Sequence, residues 1–468
     1  MALRLSFYGG VGKVTGSNFL IEGNHGKILV DCGIEQGTDF SEKNAYLPFP
    51  YDVKTIDALV LTHAHLDHCG RIPRLVREGF RGKIYMTPPT ADLTKLILHD
   101  SVGILGEEAR KHDHEPLYEE EDVEVTFSLF ETLDYHQEKE IAPGLSVYLR
   151  NTGHILGSAS VRIKDEEENT LALSGDIGNS PSPLLPDWEH VTDADVLVME
   201  STYGDRLHPS QQARVEILVE TLKRAIARGG TILIPAFSLE RTQLMLYELS
   251  NFFAEASLPQ IPVFLDSPLA IHVTQVYEKW GAMYFKPETE DEMKREGSIF
   301  DFPFLNKTLS REQSEEIDKL VPGPKIIIAG AGMSHGGRIG RWEEKYLPDP
   351  STTLFMIGYQ APGSPGRRIA EGSSSVRLNG REVKIRAKIE LLEGWSAHAD
   401  RDELLEFADA FSGNDRHVVS IKTIFTAMGE PSAERFLAQR IHDYLDVRAI
   451  VPEVGQTWEI TKETVRKQ

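Results

Sequence analysis

The sequence predicts an α/β protein in which a second α/β domain, built on a parallel sheet, lies between two stretches of similar texture. Two observations predict it. In residues 1–207, short apolar runs repeatedly end in a histidine or a carboxylate, as at Ala58–Leu61 before Thr62-His63-Ala64-His65-Leu66-Asp67-His68. From 208 to 372, strand-like and helix-like segments alternate, a pattern that needs a parallel sheet covered on both faces. Residues 373–468 return to the earlier style. At 468 residues the chain is long enough for two or three domains, each with its own core.

In order, residues 3–8, 17–22 and 27–31 read as short strands broken by glycine turns, the third ending at Asp31. The next strand delivers the histidine cluster. Gly70–Glu78 reads as a helix, 83–86 as a strand and 90–109 as a longer helix. Residues 145–151 form an alternating strand that opens into Gly153-His154. A strand pair at 159–164 and 170–174 turns at Asp165–Asn169 and leads to Asp176, and 195–199 leads to Glu200. Gln211–Arg228 is amphipathic, with Val215, Leu218, Val219, Leu222 and Ile226 at helical spacing, and Gly229-Gly230 stops it. Strands at 231–237, 261–266, 325–329 and 352–357 then alternate with helices near 239–254 and 268–281. Residues 286–303 read as an acidic loop, and Ser310 with Gln313 as a capping box. Glu371–Ser375 reads as a hinge. His398 follows in a polar turn before a helix over 403–410, and a helix over 432–445 precedes a polar tail from 461 that is expected to fray.

Bulk chemistry narrows the class. No apolar run approaches the roughly 18 residues needed to span a bilayer, and the first residues alternate like a strand rather than a signal peptide, so no membrane association is expected. Cys32 and Cys69 alone cannot build a disulfide framework, which points to a reducing cytoplasm. A net charge of −22 argues against loose, sequence-blind binding to nucleic acid. It leaves room for a nuclease whose groove is made positive by divalent ions and a few arginines.

Three imidazoles and a carboxylate within six residues, aimed by one buried strand, point to a metal. The ligand types favour zinc. His63 and His65, two apart on an extended segment, face the same side, and His154 can complete their site. Asp67 and His68 can serve a second ion, and Asp176 can bridge the two at roughly 3.5–4 Å, with water activated between them. Phosphodiesters suit that chemistry, and His398 is the candidate acid for the leaving oxygen.

These residues also resemble a family. The H-x-H-x-D-H block at 63–68, Gly153-His154, Ser174-Gly175-Asp176, Glu200-Ser201-Thr202-Tyr203-Gly204 and Ser396-Ala397-His398-Ala399-Asp400 occur in order. So do Pro235-Ala236-Phe237-Ser238, Asp266-Ser267-Pro268-Leu269-Ala270 and Gly358-Tyr359-Gln360. Together they look like the β-CASP branch of metallo-β-lactamase-fold nucleases, over essentially the whole chain. The resemblance implies a metallo-β-lactamase αββα sandwich (1–207 and 373–468) holding an inserted α/β β-CASP domain (208–372). It implies Zn2+ at two sites, ligated by His63, His65 and His154 in one and by Asp67 and His68 in the other, with Asp176 as bridge and Asp31 orienting the histidine loop. Asp67, Glu200 and His398 take the catalytic positions. The implied activity is hydrolysis of single-stranded RNA to a 5′-phosphate and a 3′-hydroxyl, by an enzyme that commonly forms homodimers.

One position departs from the family. Relatives acting on RNA usually carry a histidine before the final Gly-Glu, and here that place is Met428. A thioether is a poor zinc ligand and moves no protons. Three readings follow: a weakened second site, an inactive paralogue serving as an RNA-binding or assembly subunit, or a nuclease with altered preference for DNA. Arg338, Arg341, Arg367 and Arg368, in or beside glycine-rich loops, are the expected phosphate contacts.

Overall fold

The structure, a computed structural model, describes residues 2–36, 44–190, 192–255, 257–334, 336–412 and 421–468. Two compact units divide the chain: Met1–Leu207 with His398–Gln468, and His208–Ala397.

The first unit is built on two sheets. Among the described residues one has eight strands, in the order 465–467, 457–460, 3–9, 18–22, 27–30, 58–60, 83–86 and 130–132. The other has seven, in the order 448–450, 423–427, 196–200, 170–173, 159–165, 145–151 and 138–142. Successive strand residues point to opposite faces, and the apolar side chains divide accordingly. Ile28, Val30 and Val60 pack inward with Val147, Leu149, Val161 and Val198 of the facing sheet. Leu29, Leu59 and Ile84 turn outward under the helices Ile72–Arg77, Pro88–Lys111 and Glu120–Ser128. Ala172, Leu197 and Ile424 turn outward under Arg401–Ser412 and Pro431–Leu445. The layers are therefore αββα, as expected from the sequence. The centre of each sheet is parallel: 27–30, 58–60 and 83–86 in one, and 170–173, 196–200 and 423–427 in the other. Asp31, His63, Asp176, Glu200 and Met428 all sit at or just beyond the carboxyl ends of these strands, where open α/β sheets gather their ligands.

The second unit carries a parallel sheet in the order 305–307, 263–265, 325–329, 231–235, 353–356 and 388–391. The expected return at 373 is displaced. Residues 375–384 form a hairpin whose Val376, Leu378 and Val383 join this unit's core, and Lys388–Leu391 adds to its sheet beside 353–356. Two further expectations are corrected. Pro287–Glu296 is a helix rather than a loop: Glu288 and Glu290 lie at its start and Lys294 and Arg295 at its end, the arrangement that complements the helix dipole, and Glu290 pairs with Lys294. The tail does not fray, because Thr457–Ile460 pairs antiparallel with Leu3–Ser6 and Val465–Lys467 pairs with it in turn. No helix among the described residues is long and apolar enough to cross a membrane.

Asp266, fully buried at the end of strand Val263–Leu265, organises one edge of this unit. Its carboxylate accepts from Thr308 Oγ1 at 2.6 Å, Trp342 Nε1 at 2.7 Å and Arg338 Nη1 at 2.6 Å, and from Ser314. Removing one member of a buried, hydrogen-bonded charge pair typically costs about 3–5 kcal/mol. Asp266→Ala is therefore expected to destabilise the unit by about that much and to speed amide exchange through the helix Gly337–Tyr346. Unchanged exchange there would contradict the role assigned to Asp266.

Candidate metal centre

Strand Ala58–Val60 ends in the loop that carries the histidines, and two neighbouring loops fix its path. Ser17 N donates to Asp67 O at 2.9 Å and Cys32 N to His68 O at 2.8 Å. Asp31 Oδ1 accepts from Thr62 N at 2.8 Å, and Asp31 Oδ2 accepts from Thr62 Oγ1 at 3.0 Å and Ser17 Oγ at 3.2 Å. The same carboxylate meets His68 Nδ1 at 2.7 Å. A carboxylate accepts only, so His68 carries its proton on Nδ1 and turns Nε2 into the site. Asp31 thus ties the His68 ring to Thr62 and Ser17.

Three imidazoles converge beside it. His65 Nδ1 lies 3.0 Å from His63 Nε2 and 3.1 Å from His154 Nε2, and both of those nitrogens lie 3.4 Å from Asp176 Oδ2. The four donor atoms lie within 4.8 Å of one another. Burial, then the neighbouring His63, pushes the His65 imidazole well below its ordinary pKa. Burial, then His398, does the same to His154. Neutral imidazoles with lone pairs turned on one point do not hydrogen-bond one another fully, and a cation resolves the conflict.

On the other side of Asp176, His68 Nε2 lies 3.4 Å from Asp176 Oδ1 and 3.9 Å from Asp67 Oδ2, buried and without a hydrogen-bond partner among the described residues. Burial alone would lower the pKa of the His68 imidazole, but the Asp176 and Asp31 carboxylates outweigh it and hold it well above the ordinary value. Burial likewise opposes ionisation of Asp176, and His68 and His63 overcome it. Burial raises the Asp67 carboxyl. Among the described residues, His63, His65, His154 and Asp176 form a donor set that fits a metal, while Asp67 and His68 stand on the other side of Asp176.

His398 approaches from the later segment. It forms a bridge with Gly178, and Ala399 N donates to Ile177 O at 2.8 Å. A Cβ on Gly178 would stand 2.2 Å from Gly153 O and 2.8 Å from His154 N. Only a glycine lets the Asp176, His154 and His398 segments meet this closely. The fully buried Glu200 accepts from Ile177 N at 2.6 Å and presents its two oxygens 3.2 and 3.1 Å from His398 Nδ1. That pairing keeps a proton on Nδ1.

Met428 lies just past strand Thr423–Ala427 with φ of 50° and 1% exposure. Its amide donates to Gly10 O at 2.7 Å, and its sulfur is 3.8 Å from Ser17 Oγ. The side chain belongs to the apolar core between the sheets.

Three family models cover most of the chain: a metallo-β-lactamase superfamily domain over residues 20–175, a Beta-Casp domain over 242–369, and a Zn-dependent metallo-hydrolase RNA specificity domain over 382–452. Ribonuclease TTHA0252 of Thermus thermophilus is 36% identical over 405 residues, 86% of this chain and 90% of that protein. The chain belongs to the β-CASP family. An RNase J-like protein of Methanocaldococcus jannaschii is 32% identical to this β-CASP chain over 418 residues, 89% of one and 91% of the other. Transcription termination factor FttA of Methanosarcina mazei is 30% identical over 463 residues, 95% of this chain and 70% of that protein. A crystal structure of a protein of unknown function from Enterococcus faecalis V583 shares the fold, with TM-score 0.51 and 12% identity over 98% of this chain and 100% of that one.

The arginines expected to meet phosphate are differently placed in the β-CASP unit. Arg338 is committed to Asp266, Thr308 O and Leu309 O. Arg341 reaches Ser314 and lies over the Trp342 ring at 4.7 Å. Arg367 pairs with Glu371 at 2.6 Å, and Arg368 is exposed one residue later. A phosphate at Arg338 or Arg341 would compete with bonds that hold the unit together. Two hydroxyls at the metal centre escaped the sequence reading. Thr62 Oγ1 stands 3.0 Å from His63 Nδ1 as well as from Asp31, and Ser17 joins Asp31 to Met428.

Proposed function

We propose that this chain is a zinc-dependent ribonuclease that hydrolyses single-stranded RNA, leaving a 5′-phosphate and a 3′-hydroxyl. The observation that carries the reading is the convergence of His63, His65, His154 and Asp176, with the Glu200–His398 pair beside them. Donor separations of 3.0–3.4 Å bracket the roughly 3.3 Å between ligands that bonds of 2.0–2.1 Å give in a tetrahedral zinc site. The metal supplies Lewis acidity toward a phosphoryl oxygen and lowers the pKa of water to near neutrality. Burial keeps His65 and His154 neutral for ligation. Asp176 reaches both ligand groups, and Asp31 fixes the His68 ring. Glu200 holds Nδ1 of His398, so that Nε2 gives its proton to the leaving 3′ oxygen as the phosphorus–oxygen bond breaks.

The purified protein, given labelled single-stranded RNA and DNA with and without zinc, is expected to cut RNA only with metal, and His65→Ala is expected to be inactive. Cleavage surviving His65→Ala would place the activity elsewhere. Tight RNA binding without cleavage under any metal would favour the assembly-subunit reading.

Met428 favours an incomplete second site of Asp67, His68 and Asp176. Elemental analysis is expected to find fewer than two tightly held zinc ions per chain, rising with Met428→His. Two full equivalents in the unmodified protein would show that the thioether leaves the second site whole.

A further inference from the structure

Helix Pro431–Leu445 carries an exposed stripe at four-residue spacing, Phe436, Arg440 and Tyr444, with Tyr444 67% and Phe436 37% exposed. The Arg440 guanidinium lies between the two rings, 5.1 Å from the Phe436 centroid and 5.3 Å from that of Tyr444, and donates to Tyr444 Oη at 2.6 Å. The helix that carries this stripe packs against the loop that follows Glu200. A Cβ on Gly204 would stand 2.9 Å from Leu437 Cβ, so the loop carrying Tyr203 and Arg206 presses on the same helix. Arg206 lies over the Tyr203 ring at 5.7 Å, and that ring is 6.3 Å from the imidazole of His398. Arg401 N donates to Arg206 O at 3.0 Å, and the Arg401 guanidinium is within electrostatic reach of Tyr444.

We propose that Tyr203, Arg206, Arg401, Phe436, Arg440 and Tyr444 form a track for single-stranded RNA, running from His398 across this helix and seating nucleotides beyond the scissile phosphate. The track rests on the ribonuclease reading. Aromatic faces alternating with planar guanidinium groups are the chemistry that stacks bases and meets phosphates. On an acidic chain, the track gathers three guanidinium groups, Arg206, Arg401 and Arg440, among its aromatic rings. Arg206 and Arg401 are paired with Asp205 and Asp402 at the surface, and exposed pairs of this kind are weak enough for a phosphate to displace. A protein partner seeking an apolar seam is less suited, because Ser432, Arg435, Gln439, His442 and Asp443 are also exposed on this helix.

Chelator-treated full-length protein, titrated with fluorescein-labelled oligo(U) of about 20 nucleotides, tests this without turnover. F436A/R440A/Y444A is expected to bind at least about tenfold more weakly, as loss of base stacking on two rings predicts. The single exposed change Tyr444→Trp is expected to give an indole emission quenched by the oligonucleotide. Wild-type protein that binds and cuts RNA, with a triple variant of equal affinity and a Tyr444→Trp emission that oligo(U) leaves unquenched, would overturn the track and leave the ribonuclease reading intact. Wild-type protein that neither binds nor cuts RNA would overturn both. A triple variant altered in sedimentation but equal in affinity would make the stripe a protein interface, and the proposal would fall.

Discussion

Asp176→Ala is expected to release metal from both ligand groups and to lower RNA hydrolysis by about 10³-fold or more. The carboxylate is the side chain that reaches His63 and His154 with Oδ2 and His68 with Oδ1, so this one change touches both groups. Lewis-acid stabilisation by a metal is worth several kcal/mol, and each 1.4 kcal/mol is a factor of about ten in rate. Elemental analysis beside single-turnover kinetics checks the result. Full metal content with lost activity would separate Asp176 from ligation, and retained activity would remove it from the mechanism.

His398→Ala is expected to keep the metal and lose the acid, lowering the rate on RNA by about 10²–10⁴-fold, the usual contribution of a placed general acid. The loss should depend on the leaving group. A 3′ oxygen of RNA departs as a poor leaving group and needs the proton, whereas a p-nitrophenolate does not, so a p-nitrophenyl phosphodiester should recover most of the deficit. An equal loss on both substrates would show that His398 acts before the bond breaks. Glu200→Gln should fall between the variant and the wild type, since an amide no longer fixes the charge on the imidazole but preserves the packing at Ile177.

The parts of the molecule written locally were legible in the sequence. His63, His65, Asp67 and His68 stand together because one buried strand ends there, and period-two alternation in 145–151 marks a strand buried on one face and half-open on the other. The joining of His154 and Asp176 to that cluster was readable as chemistry, though its geometry depends on Gly178 allowing three segments to touch. Thr62 and Ser17 were not legible as members of the centre, since hydroxyls occur throughout the chain and only the fold brings these two to Asp31. Asp266 was visible as a motif without a role, because its partners lie 42 to 76 residues away. The helix Pro287–Glu296 was hidden by its charges, which resemble those of a solvated loop until they are placed at the ends of a dipole.

The pairing of strand Val196–Glu200 with Thr423–Ala427, and of Leu3–Ser6 with Thr457–Ile460, bears on how the enzyme comes into being on the ribosome. When residues 1–207 have emerged, the ligands from His63 to Asp176 and the carboxylate of Glu200 are already made. Both sheets nevertheless still show an open edge, and the imidazole that Glu200 holds has yet to be translated. Unpaired edges of that kind recruit other strands, and closing them requires contacts between segments far apart in the chain, the slow sort to form. His398 and the last strands arrive only after the whole of the second unit has been synthesised.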